Sequence, residues 1–283
     1  MLPAARSLNA EGQYKRKCTM NRRSFNVACF VVAALVAIGI ASQARAGFTG
    51  PTKHSSEFTY RYEMDVAPWG QDLDGNGVMD FDASPNATRM TLSDGILTID
   101  SLDQSSNPSI VAYSPTPPGG PIWPAQFTGD YTTEFRVQVI SENEDAPGGT
   151  IRIFHALPSG LDGGMLNVGA SFTDWGQDGV RYSTADNTDG FHTFRVARDT
   201  TTHRSYVWRD DVLIGDELGS NYAGAISDLF LGSNTTGVSG VADVDYLRIM
   251  PGAYGPAPAP IPAPAPLALL VTGLLCYAWR KRK

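Results

Sequence analysis

The run Asp72-Leu73-Asp74-Gly75-Asn76-Gly77-Val78-Met79-Asp80-Phe81-Asp82 is the densest array of oxygen ligands in the chain. A hard cation such as Ca²⁺ takes about six to eight oxygens, and acids at alternate positions of a tight loop turn successive carboxylates inward while a glycine admits the sharp bend. Counted from Asp72, Asp74 and Asn76 stand at the third and fifth places, Gly77 at the sixth, the Val78 carbonyl at the seventh and Asp80 at the ninth. Two readings follow. The loop is a calcium site built from Asp72, Asp74, Asn76, Val78 and Asp80, or it is a solvated Asp/Gly/Asn turn.

The twelfth place decides which kind of calcium loop to expect. EF-hand loops put a bidentate Glu there and dockerin-type loops an Asp, whereas this chain has Ala83, with Asp82 one place early and no amphipathic helix after it. A looser Asp-rich loop is the expected form. A second candidate is a sugar site. An aromatic ring stacks on a pyranose face while carboxylates and amides bond the hydroxyls, and Trp175 stands among Asp174, Gln177 and Asp178 in a Gly-containing stretch that suits a loop rim. Trp69, Trp123 and Trp208 are the other aromatic candidates, and Trp208 alternates with Tyr206, which marks it as core.

Other chemistry finds less support. There is no Gly-x-Ser-x-Gly elbow for a serine nucleophile. His54, His155, His192 and His203 are scattered, so no close-spaced pair offers itself to zinc. Glu134 stands alone in its segment, and Glu142, Glu144 and Asp145 lie in a loop beside Pro147. The chain is therefore expected not to be an enzyme.

The elements that must hold these groups are strands. Period-2 alternation with β-branched and aromatic residues predicts them at 58–64, 88–92, 96–100, 131–140, 150–156, 165–172, 179–183, 192–199, 205–209, 212–217, 226–232 and 241–249, and no long stretch carries a helical stripe. Ser93-Asp94-Gly95, Ala146-Pro147-Gly148-Gly149 and Arg209-Asp210-Asp211 punctuate them, and 114–124, rich in proline, reads as an extended loop. Short strands at this spacing indicate an all-β, two-sheet antiparallel sandwich. The last strand is ambiguous: neither the face of Val244, Tyr246 and Arg248 nor that of Asp243, Asp245, Leu247 and Ile249 is cleanly apolar, which points to an edge or concave position with Asp245 or Arg248 paired across strands.

Order adds to count. Tyr131 to Val137, the segment Phe191-His192-Thr193-Phe194-Arg195-Val196, the hairpin Ser205 to Ile214 and the closing Val244-Asp245-Tyr246-Leu247-Arg248 together resemble the concanavalin A-like lectin/glucanase jelly roll, including its laminin-G-like modules. The resemblance implies a carbohydrate-binding fold. It also implies where a retaining glucanase would carry its acids, on a Glu-x-Asp-x-x-Glu strand, and no such segment exists here.

The flanks carry an address. Arg22 and Arg23, the apolar run Val27 to Ala41 and the small-x-small site Ala44-Arg45-Ala46 read as a signal peptide over 1–46, cleaved before Gly47, with Met20 a candidate start. At the other end, Ile261-Pro262-Ala263-Pro264-Ala265-Pro266-Leu267, a short apolar stretch and Arg280-Lys281-Arg282-Lys283 resemble PEP-CTERM sorting signals of the Val-Pro-Leu-Pro-Ala type, though without the Pro-Glu-Pro form. From Leu267 to Trp279 a helix would cover roughly 20 Å, short of the roughly 30 Å hydrocarbon core. That fits transient membrane insertion and a processing membrane protease of exosortase type. The domain is expected over 47–254, a Pro/Ala linker over 255–266 and the sorting helix with its basic tail over 267–283.

Between the flanks there is no cysteine, so no disulfide framework is available. That middle part keeps 11 basic residues against 28 acidic ones, a charge of −17 hidden behind the −7 of the whole chain. Such a surface repels phosphates and excludes a nucleic-acid partner. The sequence as a whole reads as an exported, envelope- or matrix-associated, non-catalytic module that binds extracellular polysaccharide. A glycan-cleaving hydrolase with atypical acids and a purely structural surface protein are the alternatives.

Overall fold

A computed structural model describes residues 47–73, 75, 77, 79–83, 87–102, 109–113, 129–143, 148–155, 164–176, 181–219, 228–233 and 238–258. Among them there are strands and short 3-10 turns but no α-helix. One sheet runs in the order β14 (Val212–Leu218), β13 (Arg204–Arg209), β12 (His192–Asp199), β7 (Tyr131–Glu142), β16 (Gly240–Pro251), β5 (Ile96–Asp100) and β4 (Met90–Ser93), with β2 (Tyr60–Tyr62) also paired to β16. The second runs β11 (Arg181–Ser183), β10 (Thr173–Trp175), β9 (Gly164–Val168), β8 (Ile151–His155), β15 (Asp228–Gly232), β6 (Ser109–Tyr113) and β3 (Asp82–Ala83). Every pairing within these two sheets is antiparallel. The expected all-β sandwich is what the chain forms.

Alternation decides what each sheet buries. Phe135, Val137 and Val139 of β7, Phe194 and Val196 of β12, and Leu97 of β5 meet Ile151 and Ile153 of β8, Leu166 and Val168 of β9 and Leu231 of β15 in one apolar layer. Phe135 and Phe194 stack at 5.5 Å between centroids. Each such side chain contributes about 1.5–3 kcal/mol by leaving water, and with no disulfide this layer is the main source of stability. The turn signals act as read. Asp94 and Gly95 have φ of 52° and 76°, and Asp210 and Asp211 have 49° and 63°, the left-handed pairs of type I′ hairpin turns.

The ambiguity of the last strand resolves into a bulge. In β16 the register against β7 shifts between Val244 and Tyr246, so Asp245 is the extra residue and the parity of the strand reverses across it. Ala242 and Val244 point inward before the bulge, Leu247 and Ile249 after it, and all four are at most 2% exposed. The strand is central, not an edge: one flank takes β7 while the other is shared by β5 at Val241 to Val244 and β2 at Leu247 to Ile249. Asp245 and Arg248 do pair across strands, with Arg136 and Glu63.

A third, small layer lies on the outer face of the eight-stranded sheet. β1 (Thr52–Lys53) pairs in parallel with β17 (Gly255–Pro256), so residues read from sequence as the first of the linker are strand. Phe48 packs edge-on against Tyr206 and Trp208, 4.9 Å and 5.1 Å away. Trp208 is buried as expected, but in this satellite cluster with Ala197 and Tyr206 and not between the sheets.

Candidate functional site

The sequence-derived sugar site comes apart in the fold. Trp175 is not on a rim. It belongs to β10, is 2% exposed within the inter-sheet core, and its indole N–H donates to the Gly219 carbonyl at 3.0 Å. Asp174, its neighbour on the strand, necessarily faces the other way. There it completes a row across three strands, in which Arg152 Nε donates to Asn167 Oδ1 and Asn167 Nδ2 to Asp174 Oδ1, each at 2.6 Å. Asn167 and Asp174 are buried. Burial pushes the Arg152 guanidinium down to about 10, against the pull of Asp174. The row is a satisfied cross-strand ladder. Gln177 and Asp178 lie outside the described residues.

The acidic loop turns its described carboxylates onto the protein. Asp72 Oδ1 and Oδ2 accept the backbone N–H of Gly75 and Gly77, both at 2.8 Å. Asp80 is buried, and its Oδ2 accepts from the Tyr62 hydroxyl at 2.9 Å and from the Leu73 N–H at 2.8 Å. Asp74, Asn76 and Val78 lie outside the described residues, among which no group of three or more His, Cys, Asp or Glu is placed to hold a metal.

A larger charged network occupies the outer face of the eight-stranded sheet. Glu134 of β7, 0% exposed, accepts from Arg195 Nε at 2.8 Å and from Arg195 Nη2, while Arg195 Nη1 donates to the carbonyls of Lys53 and Gly255 at 2.8 Å and 2.9 Å. Arg248 reaches Glu63 at 2.7 Å and lies over the Tyr246 ring. Burial, helped by the Glu134 charge, raises the Tyr246 hydroxyl to about 12. On Glu63, burial works against ionisation but the bonds from Arg248 and Arg61 outweigh it and lower its carboxyl. Tyr246 Oη donates to Glu134 Oε1 at 3.2 Å. Arg195 pins the β1/β17 layer to the sheet, and the other groups are turned toward one another. His192 is likewise held, its ring nitrogens facing Asp210 at 2.8 Å and Asp189 at 2.7 Å.

The open site is elsewhere, and it joins residues far apart in sequence. Where β7 begins and β12 and β16 end, a cleft of about 320 Å³ is lined by Phe48, Tyr206 and Tyr254 together with Asp130, Asp199 and Gly252. Both carboxylates are oriented. Asp130 Oδ1 accepts the Thr200 N–H and hydroxyl, both at 2.8 Å, and Asp199 Oδ1 accepts the N–H groups of Thr201 and Thr202 at 2.9 Å and 3.1 Å. Among the described residues no donor bonds the Oδ2 of either. Gly252 sets the aromatic wall. Its φ is +93°, and a Cβ there would come within 2.4 Å of the Tyr254 ring, so only glycine lets the chain turn and the ring settle against it. No sequence pattern announced this cleft. Its parts are strand ends and loop residues whose only common property is where the topology brings them.

No family model matches the chain, and no curated protein does. Among solved structures it resembles Trypanosoma rangeli sialidase in complex with 2,3-difluorosialic acid, a covalent intermediate, with a TM-score of 0.50 and 12% identity over 71% of this chain and 32% of that one. It is also similar to a carbohydrate esterase from Shiga toxin-encoding bacteriophage phi24B, with a TM-score of 0.39 and 13% identity over 61% and 87% of the two chains. A third is the binding domain of Paraclostridial Mosquitocidal Protein 1, with a TM-score of 0.44 and 11% identity over 70% and 49%. The chain thus spans about a third of the sialidase, and the likeness is one of fold. The expectation that the chain is not an enzyme is nevertheless overturned. It rested on the absence of a serine elbow, a close-spaced histidine pair and paired carboxylates, whereas the sialidase, an enzyme, shares this fold.

Proposed function

We propose that this chain is an exported carbohydrate-directed protein of the cell envelope or matrix, and that the cleft between Phe48, Tyr206 and Tyr254 takes its sugar. The carrying observation is the combination of aromatic walls with two carboxylates, each fixed through one oxygen and open at the other, in one solvent-reached cleft. Rings supply the stacking surface and carboxylates accept from hydroxyls. A volume of about 320 Å³ lies at the lower end of the range for ligand pockets. The sandwich shared with a sialidase points in the same direction. A glycan array probed with the full chain tests this: Tyr206→Ala and Tyr254→Ala abolish the binding that the native chain shows. Equal signals from the native chain and both variants would remove the cleft from consideration.

A second reading, cleavage in the same cleft, is favoured by the presence of two carboxylates, the number that glycoside hydrolysis ordinarily requires. Reducing-sugar release by the native chain, lost in Asp130→Asn or Asp199→Asn while binding persists, supports it. No release from any glycan that binds sets it aside. Export and the sorting tail belong to the same proposal, with a membrane protease of exosortase type as processing partner. Mass spectrometry of the surface protein, starting at Gly47 and lacking the basic tail, is the expected result.

A further inference from the structure

Resting on the reading of the cleft as a sugar site, we propose that its preferred occupant is a sugar carrying a free ammonium group, a de-N-acetylated hexosamine, over a neutral or an acidic ring. Organic cations are recognised by aromatic faces together with carboxylates, and the cleft is lined by three rings and two acids. Asp130 and Asp199 are each anchored through Oδ1 to the Thr200–Thr202 turn. Both acids line the cleft, and each keeps a second carboxylate oxygen that no donor among the described residues bonds. A sugar hydroxyl offers one donor. An ammonium offers three, enough to serve both acids, in charge-assisted bonds roughly twice as strong as neutral ones.

Charge argues against the acidic alternatives. Among the described residues lining the cleft there is no Lys or Arg. Lys53 lies 5.9 Å from the centroid of the Tyr254 ring, but its ammonium is engaged by Glu57 at 2.9 Å. A uronate or sialate carboxylate placed here would meet Asp130 and Asp199 with no partner for its charge, which costs affinity by repulsion as well as by desolvation. The −17 of the exported part favours the approach of cations as well.

Calorimetric titration of the full chain at mildly acidic pH and low salt, with a glucosamine tetramer, its fully N-acetylated counterpart and a tetragalacturonate, tests the inference. The free amine binds at least about tenfold more tightly than the acetylated form, a difference of about 1.4 kcal/mol, and the uronate does not bind. In Asp130→Asn/Asp199→Asn the preference falls below about threefold, while the acetylated tetramer still binds. Asp65→Asn/Asp94→Asn, acids outside the cleft lining, leaves the preference intact. A preference that falls equally in both double variants reflects attraction to an acidic surface at large and overturns the inference. Equal affinity for amine and acetylated tetramers, lost in Tyr206→Ala, overturns it while leaving the sugar cleft standing. Binding of none of the three overturns the inference, and the glycan array alone then decides the sugar cleft.

Discussion

Arg195→Leu is the sharpest test of how the outer layer is held. The guanidinium gives Nε and Nη2 to Glu134 and Nη1 to the carbonyls of Lys53 and Gly255, and lies 5.1 Å from the Phe58 ring centroid. Arg195 and Glu134 side chains are 2% and 1% exposed. Leucine fills part of the volume but leaves Glu134 with only Tyr246 Oη at 3.2 Å and Arg248 Nη1 at 3.7 Å. Removing one partner of a buried pair costs about 3–5 kcal/mol. In Glu134→Leu/Arg195→Leu no charge is stranded by the missing guanidinium, so the double variant loses less than the two single losses added, by about 2 kcal/mol. Urea unfolding followed by tryptophan fluorescence gives these numbers, since Trp208 sits against Phe48 in the same layer. Hydrogen exchange adds a local readout: the Gly255 and Ala257 amides, bonded to Pro51 O at 3.0 Å and Lys53 O at 3.1 Å, exchange faster in Arg195→Leu. A loss below about 1 kcal/mol, with those amides unchanged, would refute the assignment of Arg195 as the clamp.

The Tyr246 hydroxyl, raised to about 12, stays protonated in the fold where the unfolded chain ionises near 10, so stability is complete below about pH 10 and falls as pH rises toward 12, by about 2–3 kcal/mol. Urea midpoints against pH show this slope, and Tyr246→Phe flattens it; the same slope in both would disprove its origin. Trp175→Phe loses the bond to Gly219 and leaves a gap in the core, for about 2 kcal/mol, with no change in glycan affinity. A selective loss of binding at full stability would return Trp175 to the site. Asp72→Ala frees the Gly75 and Gly77 amides and costs about 1 kcal/mol; unchanged exchange of those two amides would show that the carboxylate does not hold the loop.

Fold legibility tracks locality. The Asp-Gly and Asp-Asp hairpin turns and the long strands around Phe135 and Phe194 are readable because their cues lie within a few residues. β6 at Ser109–Tyr113 escapes a reading by periodicity, because the apolar run Ile110-Val111-Ala112 is too short to show alternation. β10 has three residues flanked by Gly, Asp and Ser, so the same composition reads as a rim and draws Trp175 with it. The β16 bulge could not be located either: a parity change appears in sequence only as conflicting faces. Tyr206 and Trp208 announce a shared apolar face, but what covers it, Phe48, is some 160 residues upstream. The cleft is the extreme case, since Asp130, Asp199 and Tyr254 meet only after β7, β12 and β16 have paired side by side in the eight-stranded sheet.

The parallel pairing of Thr52–Lys53 with Gly255–Pro256 also has a mechanical meaning. Load directed along the axis of β17 pulls lengthwise on this pair, so its hydrogen bonds and the two carbonyl contacts of Arg195 resist together and are not unzipped in turn. A domain tethered through that segment would yield first by release of the Phe48 layer, which is a wall of the cleft, so tension on the tether and occupancy of the cleft would oppose each other.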